Sequence, residues 1–220
     1  MAETWTNLTF HGVGEATRSL DRGEAEVWLS RDVFLGHLDV ACENERVLIT
    51  FDDGNLSDFE ICLPALVDRG INGIFFIIAG RIGKPGYLGR DQIRALVNAG
   101  MQIGSHGMEH RPWRRMDQAT MHHEIVDAKE TLEEVVGRPI VKAACPFGAY
   151  DRRSLSRLRE VGMQTVFTSD GGSARAGQWL QTRHTLHRSD PGDLVTQLVA
   201  RRKRPESLTR AAKRLVKRWR

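Results

Sequence analysis

The sequence predicts a single α/β domain built around a parallel sheet. Short apolar, β-branched runs alternate along the chain with amphipathic stretches of helical spacing, which is the order that strand–helix–strand units produce. Glycine follows four of the helical stretches, at Gly70, Gly100, Gly137 and Gly162, where it is typical of a helix C-terminus. The chain has 220 residues, 40% hydrophobic and 27% charged, so it can bury one full core and is neither fibrous nor wholly disordered.

The first strand–helix–strand unit carries the clearest pattern. A short strand is predicted over 8–11, and a β-branched run over 46–51 predicts a second strand that stops at two acids and a glycine. A helix over 58–69 and a fully buried strand over 73–79 follow. The helix is expected to face inward through Phe59, Leu63, Leu66 and Val67.

The same alternation continues to about residue 186, which gives six or seven β/α repeats in total. The remaining strands are expected at 101–103, 141–144, 164–168 and 182–186, and the remaining helices at 90–99, 116–136 and 152–161.

Positive charge is concentrated in the last twenty residues. The stretch 201–220 contains ten Lys and Arg residues against the single acid Glu206, a net charge of +9. Subtracting this from the chain total of +4 leaves −5 for residues 1–200. Leu208, Leu215 and Trp219 belong to an apolar stripe of helical spacing, with the basic residues on the other face. We therefore predict a domain over 1–200 and a basic amphipathic helix over 201–220.

This tail has two candidate partners besides the surface of its own domain. A cationic face opposite an apolar stripe is typical of helices that lie in an anionic membrane surface. Nucleic acid would also suit the ten basic residues, but only Trp219 offers a stacking platform in this stretch, so nucleic acid is the less favoured partner.

Targeting signals and cysteines bear on the compartment. The sequence shows no secretion signal and no run of about 18 apolar residues that could span a bilayer. Cys42, Cys62 and Cys145 are odd in number and far apart, which fits a reducing compartment better than a disulfide framework. The expected location is the cytoplasm, with the tail at the inner face of the membrane.

Residues with metal-binding chemistry follow the predicted strands. Asp52 and Asp53 come directly after one strand, and His106 and His110 after another. In parallel α/β folds the carboxyl ends of the strands share one edge, so we expect these side chains to meet there. Adjacent strand residues point to opposite sides, so one carboxylate can ligate a metal while the other acts as a base. The two histidines stand one helical turn apart if their segment is helical, and one Asp with two His makes an open metal site.

Three motifs, taken in order, resemble the polysaccharide deacetylase family, also called the NodB-homology or carbohydrate esterase 4 family. They are TFDDG at 50–54, SHGMEH at 105–110 and PFG at 146–148, and TFDDG is the most specific of them. The similarity runs from about residue 9 to residue 189. It implies a distorted (β/α)7 barrel and a divalent metal, usually zinc with cobalt or nickel as alternatives, held by Asp53, His106 and His110.

The resemblance also implies catalytic roles in the hydrolysis of an N-acetyl group on a sugar. Asp52 becomes the general base, and the N–H of Phe147 becomes the donor to the oxyanion. The family takes its general acid from a histidine of its last strand motif, which leaves His184 and His187 as candidates here. Alternation along a strand would aim these two at opposite faces, so only one of them is expected to line the site. His11, at the end of the first predicted strand, can reach the rim of the site.

Two positions depart from the family pattern. Most members have an arginine two residues before the proline of the third motif, where it orients the catalytic Asp, and this chain has Ala144 there. The base is therefore expected to lack that partner. A subset that resembles poly-N-acetylglucosamine deacetylases also has a small residue at this place, so the change indicates a branch of the family. The fourth motif, at 168–172, lacks the usual Asp-Trp pair.

Three functions fit this pattern. The favoured one is a metal-dependent deacetylase acting on an N-acetylated glycan or glycolipid, with a place in exopolysaccharide biosynthesis. The second is a hydrolase of the same fold acting on a small amide or imide, because the metal and the base do not encode sugar recognition. The third is a non-catalytic carbohydrate-binding module. Ala144 and the missing Asp-Trp pair suggest this function. Metal content separates the third from the others, and substrate length separates the first two.

Overall fold

The strands of the sheet follow one another in space almost in their order along the chain. The computed structural model describes residues 3–201 and 215–217. Strands β1 to β6 and then β8 are neighbours in parallel, and β7 adds an antiparallel strand on the other side of β1. The strands are β1 (Thr4–Phe10), β2 (Val47–Asp53), β3 (Gly73–Ile77), β4 (Gln102–Ser105), β5 (Lys142–Ala144), β6 (Thr165–Thr168), β7 (Ala174–Arg175), β8 (Leu180–Thr182) and β9 (His184–Thr185).

Strands β8 and β9 bring the two edges of the sheet together. β8 pairs with β6, whereas β9 pairs with β1, where His184 lies opposite Leu8. Arg183 stands between the two strands, and its N–H donates to the carbonyl of Thr168 at 2.9 Å. If β8 and β9 are counted as one bent strand, the described part of the chain has seven parallel strands in the barrel, β1 to β6 and this last one. The predicted α/β fold with a barrel-like parallel sheet is confirmed, and the barrel is nearly closed.

Helices and strands pack against each other on the outside of the barrel. The rings of Phe51 and Phe75 stack with centroids 4.5 Å apart, and Phe10 lies 5.6 Å from Phe51. The helices are α1 (Arg31–Cys42), α2 (Leu63–Asp68), α3 (Arg90–Asn98), α4 (Gln118–His122), α5 (Ala128–Val136), α6 (Arg152–Glu160) and α7 (Leu194–Arg201). A separate apolar group fills the barrel interior, consisting of Ile74, Phe76, Ala144 and Phe167 with Leu48 at its side.

Two helices begin with or contain a π-helical turn. One covers Asp58–Cys62 before α2, and the other covers His123–Asp127 between α4 and α5. The predicted inward face of the first helix is therefore partly wrong, since Val67 is 53% exposed whereas Cys62 and Leu66 are fully buried. A π-helical turn has more residues than an α-helical one and shifts the buried face that 3.6-residue spacing predicts.

Part of the C-terminal tail lies at the carboxyl edge of the barrel. Residues 215–217 are helical, and Lys217 donates to the carbonyl of Gly148 at 3.1 Å and pairs with Asp170. Leu215 and Val216, from the predicted apolar stripe, are 56% and 49% exposed. The other residues of the helix predicted over 201–220 lie outside the described residues, apart from the end of α7. Within the described residues, no helix has the length and apolar character needed to cross a membrane.

Candidate active site

The two adjacent acids lie at the carboxyl end of β2. The strand continues two residues beyond the predicted stop, because Asp52 pairs with Phe76 and Asp53 with Ile77 of β3. Both acids are buried. Asp53 has φ +79°, and the left-handed conformation is rare for a residue with a side chain. Such strained positions concentrate at functional sites.

Asp53, His106 and His110 form the predicted cluster of metal-ligating groups. The Oδ1 atom of Asp53 lies 3.6 Å from Nε2 of His106 and 3.5 Å from Nε2 of His110. One ligand atom from each residue lies within 4.8 Å of the others. This Oδ1 is buried and has no hydrogen-bond partner among the residues that the structure describes. A buried oxygen without a donor is costly, so the cluster fits a divalent cation at this point.

The carbonyl of Ala144 orients His106 for this role. Nδ1 of His106 lies 2.8 Å from that oxygen, so the N–H belongs on Nδ1 and the lone pair on Nε2. A histidine that ligates a metal commonly donates its other N–H to a carbonyl in this way. Strand β5 therefore fixes the tautomer of His106, which directly follows strand β4.

His110 reaches the cluster from a loop and not from a helix. Its φ is +58°, and Gly107 before it has φ +84°, so the segment cannot be the helical turn that the spacing allowed. Burial and the nearby His106 lower the pKa of His110 to about 4, although Asp53 acts in the opposite direction. The imidazole is therefore neutral at pH 7, which is the form that binds a metal.

Asp52 forms a bidentate ion pair inside the barrel. Nη1 and Nη2 of Arg183 donate to its two oxygens at 2.6 and 2.7 Å, and Nη1 lies 3.1 Å from Oγ1 of Thr50. Burial raises the pKa of Asp52, but Arg183 and His106 outweigh it, so the pKa lies well below its usual range. The carboxylate is thus ionised and fixed in orientation beside the metal cluster.

Asp52 lacks the family arginine at position 144, as expected, but it is paired with a different arginine, Arg183. The guanidinium of Arg183 lies over the rings of Phe76 and Phe167, 5.1 and 5.8 Å from their centroids. Those rings pack with Ala144 in the barrel interior. The small side chain at position 144 leaves room for an arginine that enters from the β8–β9 junction. Sequence reasoning missed this residue.

Phe147 lies on the rim of the site, in the short 3-10 turn Pro146–Gly148. Its φ is +56°, its side chain is largely exposed, and its ring centroid lies 4.4 Å from that of His110. The predicted oxyanion donor therefore belongs to a tightly turned backbone directly beside the metal cluster.

A cavity of about 620 Å³ connects these groups, and three further histidines line it. His184 and His187 both do so, and the expectation that only one of them would is wrong. β9 ends at Thr185, so strand alternation does not extend to His187. Nε2 of His184 accepts the N–H of Gly172 at 3.1 Å, whereas Nδ1 of the half-exposed His187 lies 3.7 Å from Asp190.

His11 is the third histidine, at the carboxyl end of β1. Phe10 pairs with Phe51, which places His11 next to Asp52 along the neighbouring strand. His11 contributes to lowering the pKa of Asp52, and its own Nδ1 is buried without a partner among the described residues. His11 was expected to reach only the rim of the site. In the structure it lines the cavity together with Asp52.

The sequence between residues 40 and 166 matches the model of the family described as polysaccharide deacetylase. This match covers more than half of the chain. The chain belongs to the polysaccharide deacetylase family. The metal cluster, Asp52 and Phe147 lie inside the matched range, whereas Arg183, His184 and His187 lie beyond it.

Two bacterial relatives of this polysaccharide deacetylase family member are distant in sequence. YxkH of Bacillus subtilis (strain 168) is 27% identical over 146 residues, which cover 66% of this chain and 52% of YxkH. The chain thus spans about half the length of that relative. The peptidoglycan-N-acetylglucosamine deacetylase of Bacillus cereus is 27% identical over 158 residues, 69% of this chain and 72% of that protein.

The fold is shared with solved structures. The deacetylase PplD of Streptococcus pyogenes, solved in complex with acetate, superposes with a TM-score of 0.79 at 17% identity. The superposition covers 90% of this chain and 99% of that one. At this identity the likeness shows that the two chains have the same fold.

Proposed function

We propose that this protein is a metal-dependent hydrolase that removes N-acetyl groups from an N-acetylated glycan or a lipid-linked sugar. One observation carries the proposal: the buried cluster of Asp53, His106 and His110 lies beside the paired carboxylate of Asp52, in the wall of an accessible cavity. Membership of the polysaccharide deacetylase family supports the choice of an N-acetylated sugar.

Asp53, His106 and His110 would hold the ion. Two neutral imidazoles and one carboxylate leave a coordination position open and suit zinc, with cobalt and nickel as alternatives. When bound, such an ion lowers the pKa of a coordinated water and polarises the carbonyl of the acetyl group. The unpartnered Oδ1 of Asp53 and the tautomer set at His106 both support this assignment.

Asp52 serves as the general base in this proposal. Its low pKa keeps it ionised at neutral pH, and Arg183 holds both oxygens so that the carboxylate keeps one orientation. It therefore accepts the proton of the attacking water without moving. We expect Asp52→Asn to lower kcat by at least ~10²-fold while the protein still binds its metal.

The backbone N–H of Phe147 is the proposed donor to the oxyanion that forms on the acetyl group. The position of Phe147 on the cavity wall, beside His110, supports this role. A backbone donor in a fixed turn needs no rearrangement as the charge develops, which is what makes such donors effective.

A histidine that lines the cavity protonates the departing amine. His184 and His187 remain candidates, and we favour His11. Nε2 of His184 is already engaged with Gly172, and His187 lies toward solvent, whereas His11 borders Asp52 and has a buried ring nitrogen without a described partner. A proton donor close to the base is suited to the same reacting centre.

Single replacements of His11, His184 and His187 by Ala test this order. An amine is a poor leaving group and needs a proton, whereas an activated phenyl ester does not. We expect His11→Ala to slow release of acetate from an N-acetyl sugar far more than from 4-nitrophenyl acetate. Equal losses on the two substrates would show that His11 does not act as the acid, and the same comparison identifies His184 or His187 if either does.

The test of the overall function is acetate release from N-acetylglucosamine oligomers by the full chain. We expect activity that a chelator removes and that zinc or cobalt restores, with His106→Ala unable to regain it. Full activity after exhaustive metal removal would overturn the metal-dependent mechanism. Hydrolysis of small amides or imides without action on the oligomers would favour the second candidate function. A protein that binds no metal and turns over neither substrate would favour a binding module.

We further propose that the chain acts in the cytoplasm and that 201–220 binds the anionic inner face of the membrane. The exposure of Leu215 and Val216 supports this, because the apolar stripe is not covered by the barrel at these residues. Lys217 contacts Gly148 and Asp170, the latter in the cavity wall, so this part of the tail lies close to the substrate entrance. A lipid-linked sugar would suit such an arrangement.

A further inference from the structure

The loop between the two histidine ligands has its backbone held from two sides. On one side, the carbonyls of Gly107 and Met108 accept the N–H groups of Ala79 and Gly80 at 2.9 and 3.0 Å. These donors belong to the short turn that follows β3. The carbonyl groups of the loop are thus fixed by backbone, and the question is what fixes its N–H groups.

A single buried carboxylate takes up the N–H groups of this loop. Glu124 is fully buried, and its Oε1 accepts the N–H of Glu109 at 2.8 Å. Its Oε2 accepts the N–H of Met108 at 3.2 Å and that of Arg111 at 3.5 Å. A carboxylate buried this deeply is stable only when donors surround it, and the loop supplies three of them.

The shape of the loop depends on this contact at two positions. Gly107 has φ +84°, and a Cβ there would lie 2.4 Å from Oε2 of Glu124, so glycine leaves the space that the carboxylate fills. His110 stands between two of the donors, Glu109 and Arg111, and has φ +58°. A left-handed conformation is unfavourable for a residue with a side chain, so it needs support from its surroundings.

The helix that carries Glu124 is irregular at this residue. Glu124 lies in the π-helical turn His123–Asp127, between α4 and α5. Such turns occur often at functional sites, because the extra residue redirects a side chain that a regular helix would place elsewhere. The carboxylate of Glu124 therefore connects the irregular turn of the helix with the irregular backbone of the loop.

We propose that Glu124 is a positioning residue for the metal centre. It holds the loop so that the imidazole of His110 stays on the same ion-binding point as His106 and Asp53, and it does so without touching the ion or the substrate. This inference rests on the proposed function, because it requires the cluster to bind a divalent ion.

Replacing Glu124 by Gln tests the proposal with almost no change in volume. The amide group of Gln presents N–H donors where one oxygen accepted, so at least one loop N–H loses its partner. We expect Zn²⁺ and Co²⁺ to bind at least ~10-fold more weakly, measured by competition with a chromophoric chelator. In the metal-free protein, we expect the amides of Met108, Glu109 and Arg111 to exchange hydrogen faster than in the wild type.

Glu134→Gln is the matched control, since it removes the same charge from an exposed residue of α5. It should bind both ions as the wild type does. A Glu124→Gln protein with lower Tm but unchanged ion affinity would make Glu124 a fold-stabilising residue and overturn the proposal. If Glu124→Gln does not fold, Glu124→Asp keeps the charge but shortens the reach, and wild-type ion affinity in that variant overturns the proposal equally.

The two proposals fail in different ways. A wild-type protein that binds neither Zn²⁺ nor Co²⁺ overturns the proposed function and this inference with it. A wild type that binds the ion, together with a Glu124→Gln protein of equal ion affinity, overturns the inference alone.

Discussion

Arg183 offers the sharpest test of how this site works, through the replacement Arg183→Met. Methionine fills most of the same space but carries no charge. The variant loses the hydrogen bonds of 2.6 and 2.7 Å to Asp52 and the contact of 3.1 Å to Thr50. Asp52 then remains buried with its main counter-charge removed.

The size of the effect follows from the burial of the pair. Removing one partner of a buried ion pair costs about 3–5 kcal/mol. In a chain of this length each kcal/mol lowers Tm by about 2–4 °C, so we expect Tm to fall by roughly 6–20 °C. Arg183 stabilises only the ionised form of Asp52, so its loss raises that carboxyl's pKa.

The assay is kcat/KM for acetate release as a function of pH. In the wild type, Asp52 is ionised well below neutrality, so its protonation does not limit the rate near pH 7. In Arg183→Met the pKa of Asp52 is raised, so we expect the acid limb of the profile to move to higher pH. Turnover within about twofold of the wild type and an unmoved acid limb would refute the view that Arg183 sets the state of the base.

A second replacement provides the matched control for this prediction. Ala144 packs with the rings that lie beneath the Arg183 guanidinium. In Arg183→Met, the further change Ala144→Arg places a guanidinium where other family members are expected to carry it. We expect the double variant to recover part of the lost activity and to move the acid limb back. Failure to recover would show that position 144 cannot reach Asp52 in this barrel.

Three more outcomes are expected. Ala144→Arg alone overfills the barrel interior and should lower the stability by about 1–3 kcal/mol or more, and an unchanged Tm would contradict this. Burial and the neighbouring Asp53 raise the pKa of Asp58 well above its usual value. The folded protein therefore keeps a proton on Asp58 that the unfolded chain releases above about pH 4. For this reason the free energy of unfolding decreases as the pH rises. In metal-free protein the Tm advantage of Asp58→Asn should therefore grow from pH 4 to pH 8, and parallel Tm curves for the two proteins would count against this. Leu215→Asp with Val216→Asp should weaken sedimentation with anionic vesicles, and truncation after residue 200 should abolish that sedimentation. Both changes should spare hydrolysis of a soluble substrate. Undiminished vesicle binding would remove the basis for a membrane role.

The strands of the barrel were predictable because their signal is local. Apolar β-branched runs such as Gly73–Ile77 are buried on both faces and stand out against the polar turns around them. α1 escaped prediction because its residues 31–42 mix charged and apolar side chains with Gly36. The extent of β2 also escaped, since pairing with β3 carries two acids into the sheet against their weak strand propensity.

The metal cluster was predictable in composition but not in geometry. The motifs name Asp53, His106 and His110, and the structure brings the three together. The loop that presents His110 depends on a glycine with positive φ and on a carboxylate from a distant helix, neither of which spacing reveals. A one-turn helical arrangement is the simplest interpretation of four-residue spacing, and here tertiary contacts override it.

The partner of Asp52 could not be found from local patterns. Arg183 lies 131 residues away in sequence, in a stretch with weak strand signals. Ala144 correctly indicated that the family arginine is missing at this position. It did not indicate that the space left by the small side chain is filled by another residue. Only the packing of the barrel interior shows that another arginine occupies that space.

The location of Arg183 at the junction of β8 and β9 makes the pairing of Asp52 depend on completion of the barrel. The ligands Asp53, His106 and His110 all come from the first half of the chain, whereas the counter-charge of Asp52 arrives only with the last strand of the barrel. A chain that ends before residue 183 therefore contains all three ligand residues but lacks the counter-charge of Asp52. In the proposed mechanism, a barrel that β8 and β9 do not close would leave the general base without its counter-charge.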